Sequence, residues 1–170
     1  GLGPHVTSCK IGDRVWGMGR ATFGSHCVAD ARLVAPIPGG LSFQEAATAP
    51  LAFLTAWYAL VDLGKMRKGE KVLIHAAAGG VGMAAVQLAQ RHGLEVYGTA
   101  SEAKWEYLRA MGLDADHIAS SRNTDFGVKF RKNVGDGGFD IVLNSLAREF
   151  VDESLALLST SGRFLEMGKT

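Results

Sequence analysis

The stretch Lys71–Ala100, KVLIHAAAGGVGMAAVQLAQRHGLEVYGTA, decides the fold. It opens with a short apolar run, Lys71 to Ala77, which suits a strand buried on both faces, as strands of parallel sheets are. A glycine-rich turn follows, and then apolar residues recur at helical spacing from about Gly80 to His92. Gly93 stands where a left-handed helix end is expected, and Glu95 to Ala100 predicts the next strand.

The same alternation continues to the end of the chain. The expected elements are a helix near Ala103 to Met111, a strand at His117 to Ser120, a helix at Asp125 to Asn133, a strand at Phe139 to Asn144, a helix at Glu149 to Leu158 and a strand at Arg163 to Met167. Strands separated by helices predict an α/β fold with a doubly wound parallel sheet of the Rossmann type.

Residues 1–42 have a different pattern, with short strand-like runs broken by glycine and proline. We interpret them as part of a β-rich unit that begins before this chain. Ser42, with Glu45 three residues later, predicts a capping box at the start of an apolar helix that runs toward Leu63 and stops at Gly64. The predicted domains are therefore 1–42 and 43–170.

The composition excludes several classes of function. The chain has 170 residues, enough for one α/β domain and a smaller appendage, and its 18 basic and 17 acidic residues are scattered, which gives no case for nucleic-acid binding. Two cysteines fit a reducing cytoplasm better than a disulfide framework. Polar residues and Pro50 interrupt the apolar stretch from Ala46 to Leu63, so we expect a buried helix, no membrane span and a soluble cytoplasmic protein.

The turn between the first strand and the first helix of the deciding stretch predicts a phosphate site. Gly79 and Gly82 match the second and third glycines of the GxGxxG fingerprint, and Ala77 stands in place of the first. Glycine lets a pyrophosphate approach the backbone, and the N–H groups of Gly80 and Val81 belong to the helix start, whose dipole favours an anion. Tight packing of the helix on the sheet is the alternative explanation for these glycines.

The end of the second strand indicates which dinucleotide binds. An acidic residue there would bind the 2′-hydroxyl of NADH, whereas this strand ends in Ser101 with Lys104 just beyond. Glu102 falls in the first helical turn, where it complements the helix dipole. We therefore expect NADPH, with Ser101 and Lys104 at its 2′-phosphate and Arg122 at the phosphate or the adenine; a solvated helix face is the alternative for Lys104.

Other catalytic motifs are absent from the sequence. Gly162 and Gly168 precede Lys169 as in a P-loop, but five residues separate them where that motif needs four. No serine lies in a Gly-x-Ser-x-Gly elbow, and the histidines lack metal-ligand spacing, so we expect them to be structural or on the surface. No metal site is predicted.

Four strings of sequence carry a family resemblance. VLIHAAAGGVG, from Val72 to Gly82, resembles the nucleotide-binding turn of the zinc-free quinone-oxidoreductase branch of the medium-chain dehydrogenase/reductases. DHIASSR (116–122), VLNSL (142–146) and GRFLEMGK (162–169) look like the enoyl-reductase domains of modular polyketide synthases and animal fatty acid synthase. The resemblance covers essentially the whole chain.

This resemblance implies a reaction and a set of site residues. Such domains transfer a hydride from NADPH to the β-carbon of an α,β-unsaturated thioester on an acyl carrier protein, and the α-carbon is then protonated. Lys169 matches the proton-donor candidate, and Gly79, Gly80, Val81 and Gly82 would hold the pyrophosphate. The nicotinamide end would be lined by Thr55, Asn144, Ser145, Met167 and Gly168.

The resemblance also implies that the chain is a fragment. Residues 1–42 would belong to a GroES-like substrate domain, the Rossmann fold would continue beyond Thr170, and other synthase domains would share the parent chain. An open sheet edge invites pairing with a second copy, so a homodimer stays open. Two alternatives remain: a free-standing NADPH-dependent quinone or enone oxidoreductase, and a nucleotide-binding module without turnover.

Overall fold

The first unit of the chain contains a two-stranded antiparallel hairpin. The computed structural model describes residues 1–168, and its first strands are β1 (Val15–Gly17) and β2 (Val34–Pro36), with Trp16 opposite Ala35. Gly17 is required at this point, because a Cβ atom on it would lie 2.1 Å from the carbonyl oxygen of Leu33. The sequence pattern of a β-rich start is therefore confirmed.

Helix α1 spans Phe43–Trp57 and continues through a π-helical turn at Tyr58–Leu63. Its capping box is confirmed, because Ser42 Oγ accepts the N–H of Glu45 at 3.2 Å while the Glu45 carboxylate accepts the N–H of Ser42 at 2.8 Å. The chain divides into two compact units between Ala52 and Phe53, inside α1. The predicted boundary at 42/43 lies ten residues before this division, and the guanidinium of Arg14, 4.7 Å from the centre of the Phe43 ring, joins the first turn of α1 to the first unit.

The expectation that this apolar helix is buried is wrong for one of its faces. Leu54, Trp57, Tyr58 and Leu63 are exposed, and the buried residues nearby are Ala56, Ala59 and Leu60. Length and composition alone, with a mean hydropathy of 1.4 in an 18-residue window of Phe43–Leu63, would allow the helix to cross a membrane, a test that core helices of water-soluble proteins also pass. The described residues leave the exposed face without a cover.

Five parallel strands form the main sheet, in the order β5-β4-β3-β6-β7. The strands are β3 (Lys71–Ile74), β4 (Glu95–Ala100), β5 (Ile118–Ser120), β6 (Phe139–Asn144) and β7 (Leu158–Glu166). The helices that alternate with them are α2 (Gly80–Arg91), α3 (Trp105–Ala110), α4 (Asp125–Val134) and α5 (Glu149–Ala156). The strand order reverses between β3 and β6, where open α/β sheets bind ligands beyond the carboxyl ends of the strands.

The predicted doubly wound fold is confirmed, with its largest differences at two strands. β3 ends at Ile74 rather than Ala77, because the chain turns at Ala76, whose φ is +49°. β7 begins at Leu158, five residues before the expected Arg163, and its pairing with β6 contains a register shift between Phe139 and Ile141. One part of the core is an aromatic cluster of Tyr97, Phe126, Phe130 and Phe139.

An ion pair joins the loop before β3 to β7. Arg163 Nη2 lies 2.7 Å from Glu70 Oε2, and the two side chains are 29% and 15% exposed. A second pair, Arg131 with Glu153, is longer at 3.4 Å and more exposed, at 54% and 31%. The chain therefore contains two Arg–Glu ion pairs of the same type that differ in how strongly water screens them.

We expect Arg163→Met to lower the free energy of unfolding by about 2 kcal/mol, because it leaves the half-buried Glu70 carboxylate without its cation. Arg131→Met should cost less than about 1 kcal/mol, since its exposed pair is screened by water. Urea denaturation of the two variants measures the difference. If both variants lost the same free energy of unfolding, burial of the pair between Arg163 and Glu70 would not increase its contribution to stability.

Candidate functional site

The glycine-rich turn after β3 is fixed by two backbone hydrogen bonds. Ala77 N–H donates to the carbonyl of Thr99 on β4 at 2.8 Å, and Gly79 N–H donates back to the carbonyl of Ala76 at 2.8 Å. Ala76 holds the left-handed conformation that the turn needs, with φ at +49°. The turn is thus anchored to the sheet immediately before α2 begins.

Gly82 allows the helix to pass closely over this turn. A Cβ atom on Gly82 would lie 2.3 Å from Ala76 O and 2.7 Å from Ala77 Cα, and both are backbone atoms that cannot rotate away. Gly82 therefore has the helix-packing role of the third glycine in a dinucleotide fingerprint. Close packing of α2 on the turn is enough to explain Gly82. The groups that could bind a ligand are the N–H groups at the start of α2.

Ala77 stands where the fingerprint has its first glycine, and a glycine on the next strand, Gly98, makes room for its methyl group. A Cβ atom on Gly98 would lie 2.8 Å from the Cβ of Ala77. The space that a side chain on β4 would fill is therefore taken by the methyl group of Ala77. Alanine consequently fits where the fingerprint has its first glycine.

The start of α2 presents the groups that an anion needs. Gly79 is the N-cap and has no side chain to cap the helix, so the N–H groups of the first turn, Gly80 to Gly82, have no intrahelical acceptor. A Cβ atom on Gly80 would meet no other atom within 4 Å, and Gly80 is exposed. The helix start is therefore open to solvent and carries a positive partial charge.

Beneath the turn lies a buried polar cluster built on His75. His75 Nδ1 lies 2.9 Å from Thr99 Oγ1, and His75 Nε2 lies 2.8 Å from Ser154 Oγ, which itself donates to Phe150 O. Since the proton of the Ser154 hydroxyl is used there, His75 donates from Nε2 and accepts at Nδ1 from Thr99. Burial lowers the pKa of His75 to about 4, so the ring is neutral and structural, in line with the sequence-based expectation.

The ends of β4 and β5 bring together the residues predicted for the adenosine phosphate. Ala100 pairs with Ser120, and the N–H of Ser121 donates to Ala100 O at 3.0 Å. Ser101 follows β4 directly, and Lys104 and Arg122 are exposed beyond the two strand ends. The strand ends are therefore neighbours, while the 2′-phosphate role of these side chains stays a prediction.

The predicted nicotinamide residues mostly follow β6 and β7, the strands on the other side of the switch point. Asn144 is fully buried, and its Nδ2 donates to Leu146 O at 2.8 Å and to Glu166 Oε2 at 2.7 Å. Ser145 is exposed beside it, Met167 and Gly168 follow β7, and Thr55 lies half-buried on α1. Their contacts with a cofactor stay predictions, and Lys169 lies outside the described residues.

Sequence reasoning missed two members of this region, His75 and Glu166. His75 interrupts an apolar run, and a polar residue in a strand buried on both faces signals a buried hydrogen-bond partner. Glu166 lay inside a predicted strand, and nothing in its spacing pointed to the pairing with Asn144. A cavity of about 190 Å³ lined by Arg131, Gly138 and Leu158, among others, lies at the opposite, amino edge of the sheet, away from these residues.

Comparison with known proteins identifies the relatives of this site. The family model described as zinc-binding dehydrogenase matches residues 80–170. Pikromycin polyketide synthase component PikAII of Streptomyces venezuelae is 58% identical over 168 residues, which are 99% of this chain and 4% of that protein. The CurK enoyl reductase structure is 42% identical with a TM-score of 0.86 and 99% of this chain covered, and the chain spans 52% of that structure's length.

A further solved structure is that of mycobacterial Rv1454c complexed with NADPH. It is 30% identical to this chain with a TM-score of 0.87, and the match covers 98% of this chain and 53% of that one. The name of the matching family refers to zinc, but residues 1–168 contain no group of three or more histidine, cysteine or acidic side chains placed to hold a metal ion. The donor set described here does not fit a zinc site.

Proposed function

Since the chain belongs to the medium-chain dehydrogenase/reductase superfamily, within it to the enoyl-reductase domains of modular polyketide synthases, we propose that it forms the NADPH-binding half of an enoyl reductase. The substrate is an α,β-unsaturated acyl thioester carried on an acyl carrier protein. The other synthase domains lie in the same parent chain, in the cytoplasm.

One observation carries the proposal: the turn from Ala76 to Gly82 is shaped for a pyrophosphate. Gly82 lets the start of α2 pack closely on the turn. The N–H groups of Gly80 and Val81 have no acceptor within the helix and face the region beyond the carboxyl edge of the sheet. A glycine-rich turn held close to the sheet, next to an open helix N-terminus, fits the phosphates of a dinucleotide. Bound NADPH supplies a hydride for the β-carbon.

The chain's own residues bind and orient the two ends of the dinucleotide. Ser101, Lys104 and Arg122 hold the 2′-phosphate and adenine end, because two of them are cations at neighbouring strand ends. Thr55, Ser145 and the backbone at Met167 and Gly168 line the nicotinamide end. Lys169 stabilises the negative charge that develops on the thioester enolate and donates the proton to the α-carbon.

The synthase reaction is better supported than reduction of a diffusible quinone. The polyketide synthase relative is 58% identical over almost the whole chain, and the CurK enoyl reductase structure is 42% identical with 99% of this chain covered. A steady-state assay of the full-length protein with a crotonyl thioester and with a quinone separates the two substrates. Faster turnover of the quinone would overturn the assignment to a synthase.

Cofactor choice is tested by titrating the purified chain with NADPH and NADH and following nucleotide fluorescence. We expect NADPH to bind more tightly, and Lys104→Ala to weaken NADPH about tenfold without changing NADH, because a charge-assisted bond to the 2′-phosphate is lost. Lys132→Ala is the matched control, since Lys132 is an exposed lysine in the last turn of α4. Equal weakening of both nucleotides would contradict the 2′-phosphate role of Lys104.

A further inference from the structure

One backbone atom, the carbonyl oxygen of Ala100, connects two loops at the carboxyl edge of the sheet. Ala100 is the last residue of β4 and is buried. Its oxygen accepts the indole Nε1–H of Trp105 at 3.1 Å and the backbone N–H of Ser121 at 3.0 Å. A carbonyl oxygen has two lone pairs, so both donors are satisfied at once. The loop after β4 and the loop after β5 are therefore attached to the same atom.

The indole of Trp105 closes the loop after β4. The four residues from Ser101 to Lys104 lie between the end of the strand and Trp105, the first residue of α3. Within this segment the N–H of Lys104 donates to Ser101 O at 2.8 Å. The residue directly after Lys104 is thus bonded to the residue directly before Ser101. The backbone that carries Ser101 and Lys104 is consequently held at both ends in the absence of a ligand.

The polar side chains of these two loops are not used by the fold. Ser101 makes no side-chain hydrogen bond to the turn that follows it. Within residues 1–168, neither Lys104 nor Arg122 takes part in an ion pair. Arg122 belongs to the second loop, where its backbone N–H donates to Ser120 Oγ at 3.2 Å. Two cations and a hydroxyl group therefore follow one fixed atom, with their charges and hydrogen bonds available for an anion.

We propose that Trp105 is a positioning residue for recognition of the 2′-phosphate of NADPH: through Ala100 O it fixes the loop from which Lys104 reaches the phosphate. The inference rests on the proposed function, because it gives this hydrogen bond a role in binding only if Lys104 binds the 2′-phosphate. A loop that is ordered in advance loses less conformational freedom when the ligand binds, and this preorganisation raises the affinity. NADH has no phosphate at this position, so its affinity does not depend on the loop.

Trp105→Phe removes the hydrogen bond and keeps an aromatic ring at this half-buried position. Ala100 O retains the N–H of Ser121, so the substitution leaves no buried acceptor without a donor. Tyr107→Phe is the matched control on the same helix, because Tyr107 is 63% exposed and its hydroxyl bonds to no other residue within 1–168. Both variants lose a polar hydrogen from an aromatic side chain of α3, and the first alone loses a bond to the loop.

The test is a calorimetric titration of the purified chain with NADPH and with NADH, since the heat of binding does not depend on the tryptophan fluorescence that the substitution alters. We expect Trp105→Phe to weaken NADPH about fivefold and NADH by less than about twofold. Tyr107→Phe should leave both affinities within about twofold. In a Lys104→Ala background, Trp105→Phe should weaken NADPH by less than about twofold, because the group that the loop positions is already absent.

The outcomes distinguish the inference from the proposed function. If Trp105→Phe weakens both nucleotides equally, weakens neither, or acts as strongly in the Lys104→Ala background, the inference is overturned. If the wild-type chain does not prefer NADPH to NADH, the cofactor assignment of the proposed function is overturned as well, and this is visible without any variant. If Trp105→Phe does not fold, benzothienylalanine at position 105 replaces it, because sulfur in place of the indole N–H removes the donor and keeps the shape of the ring.

Discussion

Replacing Gly82 with alanine is expected to lower the free energy of unfolding by about 3 kcal/mol and to weaken NADPH binding at least tenfold. The added Cβ would lie 2.3 Å from Ala76 O and 2.7 Å from Ala77 Cα, so the helix has to move away from the turn. Such a movement displaces the N–H groups that are expected to hold the pyrophosphate. Thermal denaturation and an NADPH titration of the purified chain measure the two effects.

Gly80→Ala is the control for this prediction. A Cβ atom on Gly80 meets nothing within 4 Å, and its φ is not in the left-handed range, so alanine is compatible with the backbone there. Because alanine favours the helix more than glycine does, the stability should stay equal or rise by about 0.5 to 1 kcal/mol. If the two variants melted at the same temperature, close approach at Gly82 would not be what the turn requires.

The sheet was predictable because each strand is a short apolar run next to a helical pattern. β4 and β6 were predicted with their observed bounds, since both are buried on both faces and end at a polar residue or a turn. The start of β7 was not predictable, because Leu158 pairs with Phe139 but the residues after it lie in an irregularity, and regular pairing resumes only between Ile141 and Arg163. A shift of this kind depends on the neighbouring strand and leaves no periodic signal.

The candidate site was predictable as far as the glycine pattern reaches. Gly79 and Gly82 were recognised by spacing, but the compensation of Ala77 by Gly98 joins residues 21 positions apart, on two elements. The pairing of Asn144 with Glu166 across two strand ends is of the same kind. Sequence motifs record the backbone that a ligand needs, whereas the side chains that support this backbone are found through tertiary contacts.

The second large effect is expected at His75, whose neutral form the fold requires. Burial lowers its pKa to about 4 in the folded state, against about 6.5 in the unfolded chain. Between these values the unfolded state binds more protons, so stability is complete above about pH 6.5 and falls as the pH drops toward 4. The shift of about 2.5 units corresponds to a loss of about 3 kcal/mol across that window.

His75→Leu should remove this dependence on pH. At pH 7.5 we expect the variant to be less stable than the wild type by about 2 kcal/mol, because the buried Thr99 hydroxyl loses its acceptor. Near pH 4 the difference should vanish or reverse, since leucine has no proton to gain. Urea denaturation from pH 4 to 7.5 gives both curves, and His5→Leu, at an exposed histidine, is the control.

The difference between the two curves isolates His75 from the other titrating groups. Burial lowers the pKa of His117, but the hydrogen bonds that its ring donates to the carboxylates of Asp114 and Glu95 outweigh burial and raise this pKa, which adds stability at low pH. The lowered pKa values of these two carboxyl groups remove stability as they become protonated. All three groups are present in both proteins and cancel in the difference. Parallel curves would mean that His75 is protonated in the folded state, and the hydrogen bonds from Thr99 and to Ser154 would then need another assignment.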